Sequence, residues 1–189
     1  MIASLEALKV ISRHRDDAIV VATMTSNAEW SNVSTNPDLD MMHSGCMGKA
    51  SSIGLGLALA RSDKKVFVLD GDGSLLMNLG SLVTIANMAP LNLIHFVFEN
   101  SVYRLSGGQP IPAAGKLSFI DMARGAGYAN VHEFEDLESF ENSIQTVLNQ
   151  MGPTLVCLKT PPATERSPFP MVPTLSILPR FKAALQRCS

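Results

Sequence analysis

The sequence has few cysteines, few aromatic residues and no excess of charge of either sign. Three of its 189 residues are cysteine, and no pair has CxxC spacing, which argues against a disulfide framework, a zinc site or an iron–sulfur cluster. Fifteen basic and 17 acidic residues give a net charge of −2, so no overall field attracts nucleic acid or an anionic membrane. No apolar run reaches the length of a membrane span, and Met1–Arg15 lacks the apolar core of a signal peptide. We therefore expect a cytoplasmic protein with neither nucleic-acid nor membrane partners.

Apolar residues and glycine dominate what is present. Hydrophobic residues make up 46% of the chain and 13 residues are glycine, which is typical of a globular α/β domain with buried strands. Strand and helix patterns alternate, and this alternation predicts a parallel sheet covered by helices on both faces, a three-layer sandwich. The predicted strands are 18–22, 65–69, 93–98, 128–132 and 153–159, and the predicted helices are 2–12, 49–61, 74–88, 117–124, 136–149 and 175–186.

Three segments lack a periodic pattern. Residues 23–40 are polar and are predicted to form a loop with at most one short helix, and residues 99–117 are rich in glycine and proline. Residues 160–173 contain five prolines, which favour an extended segment without helix. We divide the chain into a binding domain, 1–160, and an arm with a short helix, 161–189. The arm is either a contact with another subunit or a surface tail.

The turn Gly71-Asp72-Gly73 joins the strand 65–69 to the helix that begins at Ser74. In an open α/β sheet such a turn lies at the carboxyl edge, where the N–H groups at the start of the helix and the small glycines allow close approach of phosphate oxygens. An aspartate repels phosphate unless a hard cation such as Mg²⁺ lies between them. A plain Asp-Gly turn is the alternative, although the helical pattern after it disfavours a hairpin.

Asn100 ends the next predicted strand, 28 residues after Asp72. Because neighbouring parallel strands end at the same edge, its amide oxygen is expected to reach the same cation as the Asp72 carboxylate. The two residues together therefore predict a site for a metal-bound diphosphate.

These motifs resemble the cofactor fingerprint of thiamine-diphosphate-dependent enzymes. Together with the glycine-rich stretch Gly45–Gly56, they look like the diphosphate-binding domain of sulfopyruvate and phosphonopyruvate decarboxylases, over roughly residues 1–160. The resemblance implies thiamine diphosphate and Mg²⁺ as cofactors. The implied cofactor-binding residues are Gly45, Cys46, Met47, Gly71, Gly73 and Ser74, and the implied metal ligands are Asp72, Asn100 and the main-chain carbonyl of Val102.

The resemblance also gives roles to the Gly45–Gly48 turn. It implies that the Gly45 carbonyl and the Met47 N–H bind the aminopyrimidine ring and that the Met47 side chain supports the bent cofactor. A core-filling Met47 is the alternative. For Gly54 and Gly56, tight helix packing is the favoured interpretation.

A glutamate from a separate pyrimidine-binding domain activates the cofactor in the family that this chain resembles. No pyrimidine-binding domain is recognisable in this sequence, so we expect a β subunit that self-associates and pairs with an α chain. Three apolar residues suit that contact or a second core face: Leu76, Met77 and Ile85. The predicted substrate is a small anionic 2-oxo acid. A 2-oxo acid oxidoreductase subunit, an acetohydroxyacid-synthase-like subunit and a non-catalytic cofactor-binding module are the alternatives.

Several ionisable residues near these motifs have no settled role. Glu99 stands where relatives often carry Asn or Asp, and Arg104 could balance its charge, although surface pairing is the favoured interpretation of Arg104. Lys49 and Arg104 are both candidates for binding the substrate anion. His95 is expected to be a core histidine, and His43 either faces the site or is structural.

Overall fold

Six parallel strands form the centre of the computed structural model, which describes residues 1–43, 46–162 and 174–187. The strands of this sheet are β1 (Ile19–Thr23), β2 (Asp40–His43), β3 (Val66–Gly71), β4 (Leu93–Glu99), β7 (Asn130–Phe134) and β8 (Thr154–Lys159). Two short antiparallel strands, β5 (Val102–Tyr103) and β6 (Gln109–Pro110), form a separate hairpin. The helices are α1 (Ser4–Arg13), α2 (Met24–Trp30), α3 (Ala50–Ala60), α4 (Asp72–Leu76), α5 (Ser81–Met88), α6 (Phe119–Ala126), α7 (Leu137–Asn149) and α8 (Thr174–Arg187).

Helices cover both faces of the sheet, which confirms the predicted three-layer α/β fold. Alternate residues of each strand point to opposite faces, so Val68 packs under α3, α5, α6 and α8 while its neighbour Phe67 packs against the layer of α1, α2 and α7. Because both faces are covered, the central strands are apolar on both sides, and this accounts for the continuous apolar runs in the sequence.

The strand order β2-β1-β3-β4-β8-β7 contains a switch point between β1 and β3. The chain leaves β1 through α2 to reach β2 on one side, and then crosses through α3 to β3 on the other side. In open α/β sheets, ligands bind in the crevice outside the carboxyl ends of the strands at such a point. The topology therefore places a binding crevice beyond Thr23 and Gly71.

The segment 23–40 differs most from the sequence prediction. It contains the one short helix that the prediction allowed, α2, and also a 3-10 turn at Pro37–Leu39 and the first residue of the edge strand β2, which the prediction lacked. That residue, Asp40, is only 1% exposed. A four-residue strand that begins with a buried acid has no apolar periodicity, so the pattern in the sequence could not reveal it.

A buried ion pair holds this edge strand. The Arg15 guanidinium donates to Asp40 Oδ1 at 2.8 Å and to the Ala18 carbonyl at 2.8 Å, and it lies over the Trp30 ring at 5.4 Å. The Ser34 hydroxyl donates to the other Asp40 oxygen. Both side chains of the ion pair are at most 2% exposed, so each charge depends on the other for compensation.

We expect Arg15→Met to lower the free energy of unfolding by about 3–5 kcal/mol, because Asp40 would be left as an uncompensated buried charge. Urea denaturation measures this loss. The matched control is Arg124→Met, which removes an exposed ion pair with Asp121 and should cost less than about 1 kcal/mol. Equal losses in the two variants would contradict the role given to Arg15.

The helix predicted over 74–88 is two helices in the structure. α4 and α5 are separated by a turn in which the Asn78 Nδ2 donates to the Gly48 carbonyl at 3.0 Å and to the Ser52 hydroxyl at 3.1 Å. Asn78 thus ties this turn to the start of α3. A contact between segments 30 residues apart leaves no local signal in the sequence.

The interruption changes which residues face the core. The apolar stripe of one continuous helix over 74–88 would include Val83, but Val83 is 60% exposed, whereas Ile85 is fully buried. Ile85 belongs to the core and cannot form a subunit contact. Leu76 packs partly against the same core, and Met77 is 58% exposed.

Helix α8 packs against β2 and the 3-10 turn at Pro37–Leu39. Its buried residues Ile177, Phe181 and Ala184 belong to the same core as α3 and α5. The Arg180 guanidinium donates to the Pro37 carbonyl at 2.8 Å. Residues 163–173, most of the proline-containing segment that was predicted to be extended, lie outside the described residues. The division of the chain at residue 160 stays a prediction. Within the described ranges, no helix is both long and apolar enough to cross a membrane.

Candidate functional site

A cleft opens at the switch point, between the carboxyl ends of β1 and β3. It contains about 740 Å³ of empty space, part of which is open to solvent. Seven of the nine predicted site residues line it: Met47, Gly71, Asp72, Gly73, Ser74, Asn100 and Val102. Cys46 is exposed and is not among the residues that line the cleft, and Gly45 lies outside the described residues. The structure thus brings together motifs that are far apart in the sequence.

Asp72 is buried where β3 turns into α4, and only 2% of it is exposed. Its Oδ2 accepts hydrogen bonds from the backbone N–H groups of Asn100 at 2.9 Å and Ser101 at 2.6 Å, and its Oδ1 accepts one from Gly73 at 2.7 Å. These bonds connect the turn after β3 to the turn after β4, because the register places Gly71 opposite Phe98.

Burial raises the pKa of Asp72 from 3.8 to about 6. The hydrogen bonds from three backbone N–H groups lower this pKa in part, and repulsion from Glu99 raises it. Ionised Asp72 therefore destabilises the folded chain at pH 7, and this penalty disappears as the pH falls through 6 to below 4. A cation bound to the carboxylate would oppose the same penalty at neutral pH.

Asn100 forms a tight local turn beside Asp72. Its Oδ1 accepts a hydrogen bond from the Val102 N–H at 2.9 Å, and Ser101 between them has a left-handed φ of +64°. Asn100 and Val102 both line the cleft that Asp72 lines.

The donor set in this corner fits a hard divalent cation. Asp72 has no ion pair with any cationic side chain in the described part of the chain, and carboxylate, amide and carbonyl oxygens are the ligands that Mg²⁺ prefers. A carboxylate offers about four lone-pair positions, so the three N–H bonds do not exhaust Asp72.

The turn before α3 is tied to the Gly71–Ser74 turn. The Gly48 N–H donates to Ser74 Oγ at 3.0 Å, and the Thr23 hydroxyl donates to the Cys46 carbonyl at 3.2 Å. Gly48 has a left-handed φ of +74°, and a Cβ there would lie 3.1 Å from the Cβ of Met77. Met47 is half-buried with its side chain available to the cleft, which agrees with either a cofactor contact or packing.

Gly73 has a packing role that the sequence did not reveal. A Cβ at this position would lie 2.5 Å from the Tyr103 ring, which belongs to the β5–β6 hairpin. The segment 99–117, predicted to be irregular, therefore contains a hairpin that packs directly on the Gly71–Ser74 turn. Gly71 has no such constraint, since a Cβ there would meet nothing within 4 Å.

Glu99 is neutralised by Lys159 on the neighbouring strand and not by Arg104. The Lys159 ammonium donates to Glu99 Oε2 at 2.7 Å and lies 3.1 Å from Glu133. Burial lowers the pKa of Lys159, but its bonds to the two glutamates outweigh burial and leave that pKa above the ordinary value. The Cys157 thiol also donates to Glu99, and burial raises the pKa of this thiol, which disfavours the thiolate form.

Arg104 does not form the surface pair that the sequence favoured. Its Nη1 donates to Glu29 Oε1 at 2.8 Å, and the two side chains are 8% and 7% exposed. Both residues line the cleft, one from the β5–β6 hairpin segment and the other from α2. Sequence reasoning missed Glu29 because it lies in a segment without a motif, 75 residues from its partner. The other candidate for an anion contact, Lys49, is exposed and does not line the cleft.

His95 is a fully buried core residue, as expected. Its ring nitrogens lie 3.5 Å from the Tyr128 hydroxyl and 3.5 Å from Asp70 Oδ2, which are long contacts. Burial raises the pKa of Tyr128 above its ordinary value, and the Asp70 charge adds to this. These groups lie in the core on the α6 side of the sheet and do not line the cleft. For His43, the strand position in β2 is described but its side chain is not.

Comparison with known proteins identifies the class to which this fold and site belong. The chain is a member of the thiamine pyrophosphate enzyme family and matches its C-terminal TPP binding domain over residues 21–158. This confirms the resemblance inferred from the motifs, and it supports thiamine diphosphate as the ligand of the domain.

Three similar proteins of this family are decarboxylases or decarboxylase subunits. The chain is 41% identical to the sulfopyruvate decarboxylase subunit beta of Methanocaldococcus jannaschii, over 76% of this chain and 75% of that one. It is 35% identical to the sulfopyruvate decarboxylase subunit beta of Methanothermobacter thermautotrophicus, over 96% of this chain and 94% of that one. It is also 37% identical to the phosphonopyruvate decarboxylase of Streptomyces viridochromogenes over 96% of this chain, which spans 45% of that protein.

A solved structure shows the same fold. A candidate thiamin diphosphate-dependent enzyme from Mycobacterium smegmatis matches with a TM-score of 0.73 and 24% identity, over 85% of this chain and 32% of that one.

Proposed function

We propose that this chain is the diphosphate-binding subunit of a thiamine-diphosphate-dependent decarboxylase that acts on a small anionic 2-oxo acid. The observation that carries this proposal is the meeting of Asp72 and Asn100 in the switch-point cleft, in a member of the thiamine pyrophosphate enzyme family. The names of the similar sulfopyruvate and phosphonopyruvate decarboxylases support an acid with a sulfonate or phosphonate group.

Asp72, Asn100 and the main-chain carbonyl of Val102 would hold Mg²⁺ in this cleft, and the ion would bind the cofactor's diphosphate. The Asp72 carboxylate is buried and has no cationic partner among the residues that the structure describes, which supports this assignment. At Gly71, where a Cβ would meet nothing within 4 Å, there is room for close contact with phosphate oxygens, and Gly73 and Ser74 remain predicted contacts of the diphosphate. Gly45, Cys46 and Met47 remain the predicted contacts of the aminopyrimidine ring.

The cofactor, when bound, supplies the electron sink into which a 2-oxo acid releases carbon dioxide. This chain contributes position and environment. Met47, Phe98 and Leu105 contribute apolar side chains to the lining of the cleft, and Thr25, Ser26 and Ser106 add hydroxyl groups. Apolar surroundings favour loss of a carboxylate, because charge disperses as carbon dioxide departs.

The partner is proposed to be a chain with pyrimidine-domain character. Two relatives named subunit beta are matched along 94% and 97% of their own length, so the similarity extends over nearly the whole of those subunits. The proposed active site lies at the interface of this chain with its partner, and the chain is also proposed to self-associate.

A substrate panel tests the proposed function. The complex of this chain with a candidate α chain of pyrimidine-domain character, supplied with thiamine diphosphate and Mg²⁺, is assayed for carbon dioxide release from sulfopyruvate, phosphonopyruvate and pyruvate. We expect kcat/KM for one of the two doubly anionic acids to exceed that for pyruvate by at least about tenfold, the factor that one charged hydrogen bond supplies.

Chelation is the control for the metal: EDTA should stop the reaction and added Mg²⁺ should restore it. Cofactor binding without carbon dioxide release from any of the three acids would contradict the decarboxylase and favour a non-catalytic binding module.

A further inference from the structure

The segment 100–104 carries two of the three proposed metal ligands, Asn100 and Val102. Its first residues are held by Asp72, whose Oδ2 accepts the N–H groups of Asn100 at 2.9 Å and Ser101 at 2.6 Å. This end of the segment is therefore fixed to the turn after β3, which carries the third proposed ligand.

Cross-strand pairing in the β5–β6 hairpin does not engage the Val102 carbonyl. The residue opposite Val102 is Pro110, which has no N–H group to donate. The Val102 N–H is also turned away from the opposite strand, because it donates to Asn100 Oδ1 at 2.9 Å. The direction of this carbonyl depends on the backbone on either side of it, and on the C-terminal side that backbone leads to Arg104, two residues on.

The Glu29–Arg104 ion pair fixes the other end of the segment. Arg104 Nη1 donates to Glu29 Oε1 at 2.8 Å, and both side chains are more than nine-tenths buried. Because the two charges are largely out of water, separating them is costly. The segment is thus tied to α2 at one end and to the turn after β3 at the other.

Helix α2 is well packed and can serve as an anchor. Three of its seven residues, Asn27, Ala28 and Trp30, are at most 1% exposed, and Trp30 belongs to the core on the α1 side of the sheet. The helix directly follows β1, which pairs with β3. Glu29 therefore lies on an element whose position relative to Asp72 is determined by the core and the sheet.

Geometry is what this ion pair contributes. Burial offsets much of the attraction between two charges, so exchanging a buried pair for apolar side chains is often neutral for stability. The hydrogen bond still fixes the distance between α2 and the residue two positions after Val102. Such precision matters to Mg²⁺, which demands near-ideal octahedral coordination at about 2.0–2.1 Å.

We propose that Glu29 and Arg104 are positioning residues of the metal site. Their ion pair holds the segment 100–104 so that the Asn100 amide oxygen and the Val102 carbonyl reach the cation at Asp72. Glu29 acts through Arg104, and Arg104 acts through the backbone of Val102. This inference rests on the proposed function, which supplies the metal site.

The test is a calorimetric titration of Mg²⁺ into the complex with a candidate α chain at saturating thiamine diphosphate. We expect Glu29→Ala and Arg104→Ala each to raise the dissociation constant for Mg²⁺ by about tenfold, the lower end of the loss when an outer partner of a metal site is removed. Glu29→Ala/Arg104→Ala should lose no more than about threefold beyond either single variant, because both substitutions remove one shared contact.

The direction of the two single effects separates positioning from a direct effect of charge. Loss of the Glu29 charge alone would weaken the binding of a cation in the cleft, whereas loss of the Arg104 charge would strengthen it. A positioning role predicts that both variants weaken it. Arg104→Lys keeps a cationic group that can pair with Glu29 and should regain part of the affinity lost in Arg104→Ala.

Arg15→Met is the matched control, because it breaks a buried ion pair that does not line the cleft. It should lower the free energy of unfolding in urea and leave the dissociation constant for Mg²⁺ unchanged. The double alanine variant leaves neither charge of the Glu29–Arg104 pair uncompensated, so it keeps the test decisive if a single variant fails to fold.

The possible failures are distinguishable. Wild-type Mg²⁺ affinity in the double variant, a loss confined to one single variant, an Arg104→Lys variant no better than Arg104→Ala, or an equal loss in Arg15→Met would overturn the positioning role alone. A wild-type complex that binds thiamine diphosphate without needing Mg²⁺ would overturn the metal site of the proposed function and this inference with it.

Discussion

Asp72→Ala is expected to weaken Mg²⁺-dependent binding of thiamine diphosphate by at least about 100-fold. Loss of an outer partner of a metal site typically costs 10–100-fold, and Asp72 is proposed to bind the ion directly with a full charge. The same carboxylate accepts N–H groups from the Asn100 turn, so its removal also loosens the second proposed ligand. Calorimetric titration of the complex with the cofactor, with and without Mg²⁺, measures the effect.

Two control variants separate loss of the metal from loss of the fold. Asp72→Asn removes the charge and keeps one acceptor oxygen, so it should still fold, with a loss of about 1–3 kcal/mol, and bind the cofactor poorly. The loss is expected because both oxygens of Asp72 accept backbone N–H groups and the amide replaces one of them with a donor. Removal of the charge itself adds no loss at pH 7, because burial raises the pKa of Asp72 to about 6. Asp121→Ala, at an exposed site, should change nothing. Unchanged cofactor affinity in Asp72→Ala would remove this residue from the metal site.

The chain by itself is expected to decarboxylate 2-oxo acids about 100–10,000-fold more slowly than the complex with its α chain, the range that a missing acid–base group accounts for. The described part of the cleft holds two carboxylates, and neither is available to activate the cofactor's pyrimidine ring. Asp72 is assigned to the metal, and Glu29 is held by Arg104. Carbon dioxide release by the chain, by the α chain and by their mixture, at equal concentrations and saturating cofactor, measures the dependence.

A mixture prepared with the Asp72→Asn chain is the matched control, since it assembles the same subunits without the proposed metal ligand. Its activity should remain near that of the separate chains. Full turnover by the unmixed wild-type chain would refute the requirement for a partner.

Much of the architecture follows from local sequence. The buried strands β1, β3, β4 and β8 are short apolar runs rich in branched residues. Such runs are typical of strands in a parallel sheet that is covered by helices on both faces. Since parallel strands end at one edge, the position of Asp72 after one strand and of Asn100 after the next was enough to predict that they meet. The two residues are joined by a 2.9 Å hydrogen bond in the structure.

The features that sequence reasoning missed all depend on contacts between distant segments. The strand β2 begins at Asp40, whose buried charge is compensated by Arg15, and the helix predicted over 74–88 is broken where Asn78 binds the start of α3. The partner of Arg104 is Glu29, 75 residues away. None of these side chains differs in type or local spacing from an ordinary surface residue.

By itself, the sequence determined the layer order of the fold, the turn that carries Asp72, and the family, because apolar periodicity and glycine spacing are local properties of the chain. Only the tertiary structure decided which charged groups lie in the cleft and which neutralise one another. Burial and pairing of a charge are set by the atoms packed around it, and those atoms come from elements that the linear sequence keeps apart.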